Sequence, residues 1–147
     1  MSSIKREVRR LMKKYQTNDP FILADKLNII VILRYMHHEI NGFFKLEQRN
    51  RFIVINKNLS DVMQTFVCAH ELGHAILHPE VNTPFFRKYT FFSVEKIETE
   101  ANTFAVELLM PDEYLLEHQY ENLTIKEAAT MYGVPQEICY LKDYENV

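Results

Sequence analysis

The stretch that decides the fold reads TFVCAHELGHAILH and occupies positions 65–78. It contains the pattern His-Glu-x-x-His, with His70 and His74 four residues apart and Glu71 directly after the first. On an α-helix this spacing places both imidazoles on one face, where they can bind the same metal ion. Glu71 lies next to that face and can accept a proton from a water molecule that the metal activates. The pattern predicts a zinc-binding helix with a catalytic base.

Apolar residues around the motif repeat at helical spacing. Met63, Phe66, Val67 and Leu77 fall on the same helical face as the two histidines, which therefore interrupt a stripe that points inward. Buried imidazoles need polar partners. A metal ion is one such partner, and the alternative is a helix whose histidines bind only carbonyls or carboxylates.

Length and composition predict a single domain over residues 1–147. The chain has 147 residues, of which 47% are hydrophobic, enough to bury a core. Its two cysteines, Cys68 and Cys139, are too few for a disulfide framework. The N-terminus is charged and no run of eighteen apolar residues occurs, so we expect a cytoplasmic protein with no membrane contact.

The net charge is only -3, but its distribution is uneven. Residues 1–60 hold 12 Lys/Arg against 5 Asp/Glu, and residues 61–147 hold 5 against 15. The basic residues of segment 1–17 could contact nucleic acid or an acidic partner, but we interpret them as the solvated face of an N-terminal helix. Segment 121–147 holds only two Lys/Arg against five Asp/Glu. Direct binding of nucleic acid is therefore not predicted.

The pattern of apolar runs and breaks predicts an α+β fold. It consists of a small three-stranded, mainly antiparallel sheet packed against a helical bundle, which carries the motif helix and a downstream Glu-bearing helix. The expected elements are helices over 4–15 and 20–27, a buried strand over 28–35, a hairpin of 42–46 with 51–56, and the motif helix from Ser60 or Asp61 to His78.

Downstream of the motif, residues 80–92 form an aromatic-rich connection, which either lines a substrate groove or packs on the core. Ser93 is expected to cap a helix that runs from Val94 to about Met110. Segment 121–147 then predicts a helix, a glycine stop at Gly133 and a further helix, an arrangement similar to a helix-turn-helix.

A catalytic zinc needs a third protein ligand and an open position for water. The metzincin pattern requires Gly at position 77 and His at position 80, where this chain has Leu77 and Glu80. His78 continues the motif spacing, but it lies about 12 Å along the helix from His70, so one ion cannot bind both. We expect His78 to support the site or to lie at the surface.

The remaining candidates are Glu98 and Glu100 on the downstream helix. They fall on opposite edges of its apolar stripe, so periodicity does not choose between them. Asn102 follows Glu98 by four residues on the same edge. It could hydrogen-bond the far nitrogen of a zinc-binding histidine, as groups behind metal ligands commonly do.

Three segments together are similar to the ImmA/IrrE family of zinc metallopeptidases: FVCAHELGHAILH at 66–78, IETEANTFA at 97–105 and LLMP at 108–111. The resemblance covers about residues 18–140. The downstream signature of that family, Glu-x-x-small-Asn, implies Glu98 rather than Glu100 as the third zinc ligand. The family also implies a gluzincin-like site and, as substrates, helix-turn-helix transcriptional repressors of phages, mobile elements or stress responses.

The expected activity is zinc-dependent hydrolysis of a peptide bond, with Glu71 as the base. Candidate donors for the oxyanion are Tyr89, Tyr114, His118 and His78. The alternative is a non-catalytic, zinc-stabilised regulatory module that binds a repressor or DNA. The presence of Glu71 favours an enzyme, because a structural zinc needs no base beside an open position.

Overall fold

The computed structural model describes residues 2–80, 83–87 and 95–143, and for 83–87 only the backbone path is described. It confirms the predicted α+β class. No helix among these residues is long and apolar enough to cross a membrane. The elements are α1 (Ser3–Tyr15), α2 (Pro20–Lys26), β1 (Ile29–Arg34), β2 (Ile40–Glu47), β3 (Asn50–Asn56), α3 (Asp61–Leu77), β4 (Thr83–Arg87), α4 (Lys96–Leu109), α5 (Asp112–Glu117), α6 (Ile125–Met131) and a 3-10 helix (Gln136–Leu141).

The sheet is mixed, with strand order β1-β3-β2-β4. Strands β2 and β3 form the predicted antiparallel hairpin, whose connecting residues Gln48 and Arg49 both have positive φ angles, 48° and 68°. Strand β1 runs parallel to β3, and β4 runs antiparallel to β2. Strand β4 lies within residues 80–92, which the sequence analysis assigned to a connection, so the sheet has a fourth strand.

Strand β1 lies at an edge of the sheet. The prediction of a buried strand is wrong, because Ile30 and Leu33 are 47% and 44% exposed and Ile29 alone is buried. Among the described strands only β3 pairs with β1. The β-branched apolar residues of β1 specify an extended conformation, but the burial of β1 depends on neighbouring elements that these residues do not encode.

Helix α3 is buried on every side through the motif, since all ten residues from Phe66 to Ala75 are buried. Ser60 caps the helix, as predicted, by accepting a hydrogen bond of 3.2 Å from the backbone N–H of Met63. The helix packs against β2, β3, α2 and α4. On the sheet side Gly42 permits the approach, because a Cβ there would lie 2.8 Å from Cγ1 of Val67.

A buried charge network joins α1 to the chain beyond α4. The Nζ atom of Lys142 lies 2.7 Å from Oε1 of Glu107 and 2.8 Å from Oδ1 of Asp112, and Nζ of Lys5 lies 3.0 Å from Oδ2 of the same aspartate. Lys5 is only 2% exposed. It is therefore an exception to the solvated basic face predicted for α1, whose other Lys and Arg residues are exposed.

The C-terminal segment differs from two consecutive α-helices. Helix α6 begins with a capping box between Thr124 and Glu127 and is followed by Gly133 at φ 75°. The next element is the 3-10 helix, whose ends carry i→i+3 bonds from Ile138 N–H to the carbonyl of Pro135 and from Lys142 N–H to that of Cys139. It packs against both α6 and α4.

Candidate metal centre

Helices α3 and α4 are in close contact at Gly73, the glycine inside the His-Glu-x-x-His pattern. A Cβ built there would lie 3.0 Å from Cβ of Phe104 and 3.2 Å from Cα of Ala101. A side chain at this position would require the neighbouring atoms of α4 to move by a few tenths of an ångström. The contact brings the first turn of α4 against the motif face, and Glu98 lies in that turn.

The side chains of His70, His74 and Glu98 converge, and each offers one ligand atom within 4.8 Å of the others. Nε2 of His70 lies 3.4 Å from one carboxylate oxygen of Glu98, and Nε2 of His74 lies 3.1 Å from the other. All three residues are buried. Two imidazole nitrogens and one carboxylate oxygen are a donor set typical of catalytic zinc, so the cluster can hold a metal ion.

The electrostatics of the cluster suit metal ligands. Burial alone would raise the pKa of Glu98, but its contacts with His70 and His74 outweigh burial and lower the pKa to about 2. Burial lowers the pKa of His74 to about 4. At neutral pH the carboxylate is ionised and this imidazole is neutral, which are the forms that bind a metal ion.

Glu71 is fully buried beside the cluster. Burial first, and then the charge of Glu98, raise its pKa well above the usual value. Neither of its carboxylate oxygens has a hydrogen-bond partner among the residues that the structure describes. A buried carboxylate without partners is costly unless a cation or a water molecule compensates it. This is the environment expected of a group that exchanges protons beside a metal.

Asn102 contacts the far nitrogen of the first histidine, as the sequence analysis expected. Its Oδ1 atom lies 2.7 Å from Nδ1 of His70, and both residues are buried. Because an amide oxygen only accepts, the imidazole proton lies on Nδ1. The lone pair of Nε2 is then available on the side of the ring that faces Glu98.

The structure distinguishes Glu98 from Glu100 as the candidate third ligand, which periodicity could not do. Glu100 turns away from the cluster and its Oε1 atom lies 3.0 Å from Nε2 of His78. The Nδ1 atom of His78 in turn lies 3.1 Å from Nδ1 of His74. His78 was expected to support the site or to lie at the surface, and its link to Glu100 was not predicted. The available signal was its i+4 spacing from His74.

Two of the oxyanion candidates contact other groups. The Tyr114 hydroxyl donates to Oδ1 of Asn18 at 3.2 Å, and His118 contacts the hydroxyl of Tyr132 at 2.6 Å and Glu121 at 2.8 Å. None of these contacts includes a residue of the metal cluster. Tyr89 and the aromatic side chains of the 80–92 connection lie outside the described residues. The predicted helix start at Ser93 and Val94 is wrong, because α4 begins at Lys96 with Glu95 as its N-cap.

Comparison with known proteins identifies the family. The model of the Peptidase M78 family, described as the IrrE N-terminal-like domain, matches residues 24–142. The chain belongs to the ImmA/IrrE family. Metallopeptidase ImmA of Bacillus subtilis (strain 168) is 30% identical over 146 residues, which are 97% of this chain and 83% of ImmA. A protein of Bacillus phage phi105, called uncharacterized immunity region protein 2, is 54% identical over 140 residues, 95% of this chain and 89% of the phage protein.

Membership of the ImmA/IrrE family makes the chain a metallopeptidase by descent, and the cluster of His70, His74 and Glu98 is compatible with that class. The matched range contains both helices of the cluster and the whole sheet. Helix α1 and most of helix α2 precede the matched range. The cluster of His70, His74 and Glu98 therefore lies entirely within the part of the chain that the family shares.

Proposed function

We propose that this protein is a zinc-dependent endopeptidase in which His70, His74 and Glu98 hold the metal. The observation that carries the proposal is their convergence within 4.8 Å beside the fully buried Glu71. This set supplies three protein ligands and keeps a fourth position open. Zinc bound there would supply Lewis-acid activation of water and of the scissile carbonyl.

Glu71 is the proposed general base and acid. It accepts a proton from the attacking water and gives that proton to the leaving amine. Its raised pKa fits this task, because a carboxyl group must hold the proton briefly at neutral pH before releasing it. Glu98, whose pKa is about 2, stays ionised throughout and acts as a ligand only.

The proposed substrate is a helix-turn-helix transcriptional repressor of a phage or mobile element, or a stress regulator, in the cytoplasm. The resemblance to the ImmA/IrrE family supports this substrate class. A second support is the relative from an immunity region of a Bacillus phage, since such a region suggests a protein that acts on phage repression. A repressor encoded beside the gene is the first candidate to test.

Metal analysis tests the site. Purified protein should contain about one zinc ion per chain, as one site of three protein ligands requires. His70→Ala and Glu98→Ala should lose it, and Glu100→Ala should keep far more zinc than Glu98→Ala. Full zinc binding by His70→Ala, or loss of zinc from Glu100→Ala but not from Glu98→Ala, would contradict the ligand assignment.

Proteolysis tests the chemistry. Incubation with the neighbouring repressor, followed by mass spectrometry, should reveal one or a few discrete cuts. Glu71→Gln should retain zinc and produce none. A stable complex with the repressor, without cuts by the zinc-loaded protein, would instead support a regulatory module that acts by binding.

A further inference from the structure

We propose that Glu100 and His78 are positioning residues that fix the tautomer of His74, so that its Nε2 lone pair faces the metal. The inference rests on the proposed zinc site and adds a function for two residues outside the ligand set. It comes from the chain of contacts in which Glu100 meets His78 and His78 meets His74, at 3.0 Å and 3.1 Å.

In this chain of contacts, the carboxylate of Glu100 determines which ring nitrogens of His78 and His74 carry protons. An ionised carboxylate only accepts, so Nε2 of His78 carries the proton that Glu100 binds. In a neutral imidazole the other ring nitrogen, Nδ1, is then an acceptor. It faces Nδ1 of His74, which must therefore donate. The Nε2 atom of His74 can then present its lone pair to a metal ion held between it and Glu98, whose carboxylate oxygen lies 3.1 Å away.

The two zinc histidines are thus held by different means. The tautomer of His70 is fixed directly by the amide oxygen of Asn102, which is always an acceptor. His74 instead faces a second imidazole, which can present either a donor or an acceptor. Among the residues that the structure describes, the carboxylate of Glu100 contacts the other ring nitrogen of His78 and so makes His78 an acceptor towards His74.

The position of Glu100 makes the proposal testable without disturbing the core. Its side chain is 33% exposed, so Glu100→Ala removes a contact near the surface, whereas the ligands themselves are buried. His78 caps the C-terminus of α3, and its side chain is 9% exposed. Glu80, exposed and two residues beyond His78, offers a matched loss of negative charge.

The experiment measures zinc affinity by competition with a chelator. Glu100→Ala and His78→Leu should each weaken zinc binding by about 10- to 100-fold, the usual effect of losing a group behind a metal ligand. Glu80→Ala should leave zinc affinity unchanged.

A rescue variant separates this role from a general structural one. In His78→Asn the amide oxygen occupies the place of Nδ1 and accepts from His74 without help from Glu100. This variant should recover most of the zinc affinity lost in His78→Leu. In its background, Glu100→Ala should have no further effect.

Several results would overturn the inference. If Glu80→Ala and Glu100→Ala weakened zinc binding equally, loss of negative charge alone would explain the effect of Glu100→Ala. An undiminished effect of Glu100→Ala in the His78→Asn background would show that Glu100 does not act through His78. Wild-type zinc affinity in His78→Leu would leave the proposed zinc site standing but remove this role, whereas a wild-type protein that binds no zinc would overturn the proposed function itself.

Discussion

Asn102 and His70 are joined across the interface of α3 and α4 by a contact of 2.7 Å between the amide Oδ1 and the imidazole Nδ1. The amide lies four residues after Glu98 on the same helix. One helix therefore supplies both a proposed zinc ligand and the group that orients a second ligand. Any shift of α4 along α3 would disturb both together.

Replacing this amide tests its importance for metal binding. Asn102→Leu should weaken zinc affinity by about 10- to 100-fold, because Nδ1–H of His70 loses its acceptor and the ring loses its orientation. Asn102→Asp keeps an acceptor and should bind zinc more tightly than the leucine variant. Chelator competition measures both, with Thr103→Ala as the control on the same helix. Equal affinities for Asn102→Leu and wild type would contradict the assigned role.

Gly73→Ala should destabilise the protein by about 1–3 kcal/mol, because the added Cβ would lie 3.0 Å from Cβ of Phe104 and force the two helices apart. Helix propensity alone predicts the opposite, a gain of about 1 kcal/mol. Urea unfolding of metal-free protein decides between them. Zinc affinity should fall as well, since Glu98 moves with α4. A more stable variant would show that the interface has room to spare.

The charge network around Asp112 should make stability depend on pH. Burial would raise the pKa of Asp112, but hydrogen bonds from Lys142 and Lys5 outweigh it and lower the pKa below the ordinary 3.8. A lowered folded pKa contributes stability above the unfolded pKa, and this is lost as pH falls through the folded value.

Asp112→Asn should consequently cost about 1–3 kcal/mol of unfolding free energy at pH 7, because two buried ammonium groups lose a partner. The difference from wild type should shrink below pH 3.8. Urea unfolding across pH measures it, and Glu7→Gln, which removes a charge from the exposed pair with Arg10, serves as control. A difference that stays constant down to the acid limit would show that packing, rather than charge, stabilises this region.

Zinc should stabilise the folded state, because a metal that binds only the folded state adds free energy by mass action. At a free zinc concentration of 100 times Kd the gain is about 2.7 kcal/mol. Wild type and Glu71→Gln should both show a melting temperature that rises with zinc. The melting temperature of His70→Ala should not rise with zinc. A parallel rise in His70→Ala would place the stabilising zinc elsewhere.

The elements that local signals encode were predictable. Asp19 and Pro20 begin α2 where the sequence places them, with the aspartate oxygen 2.9 Å from the backbone nitrogen of Phe21. Ser60 does the same for α3. Capping is a property of adjacent residues, so a single sequence reveals it. The motif helix and two of the proposed ligands needed no further information.

What the sequence could not decide depends on neighbours that are distant along the chain. Glu98 and Glu100 lie on opposite edges of the apolar stripe of α4, where periodicity does not choose between them, but their contacts in the folded protein do. The burial of Lys5 depends on Asp112, more than one hundred residues away. The exposure of β1 likewise depends on which strands pair beside it. Each of these features depends on tertiary structure. Resemblance to a family predicted only the choice between Glu98 and Glu100.

Complete burial of α3 from Phe66 to Ala75 has a consequence for how the protein opens. These amides belong to the helix that contacts the sheet, α2 and α4 at once, so no small local fluctuation can expose them. They should exchange their hydrogens with solvent only when the whole molecule unfolds. The arrangement of His70 and His74 on α3 should then last as long as the native state itself.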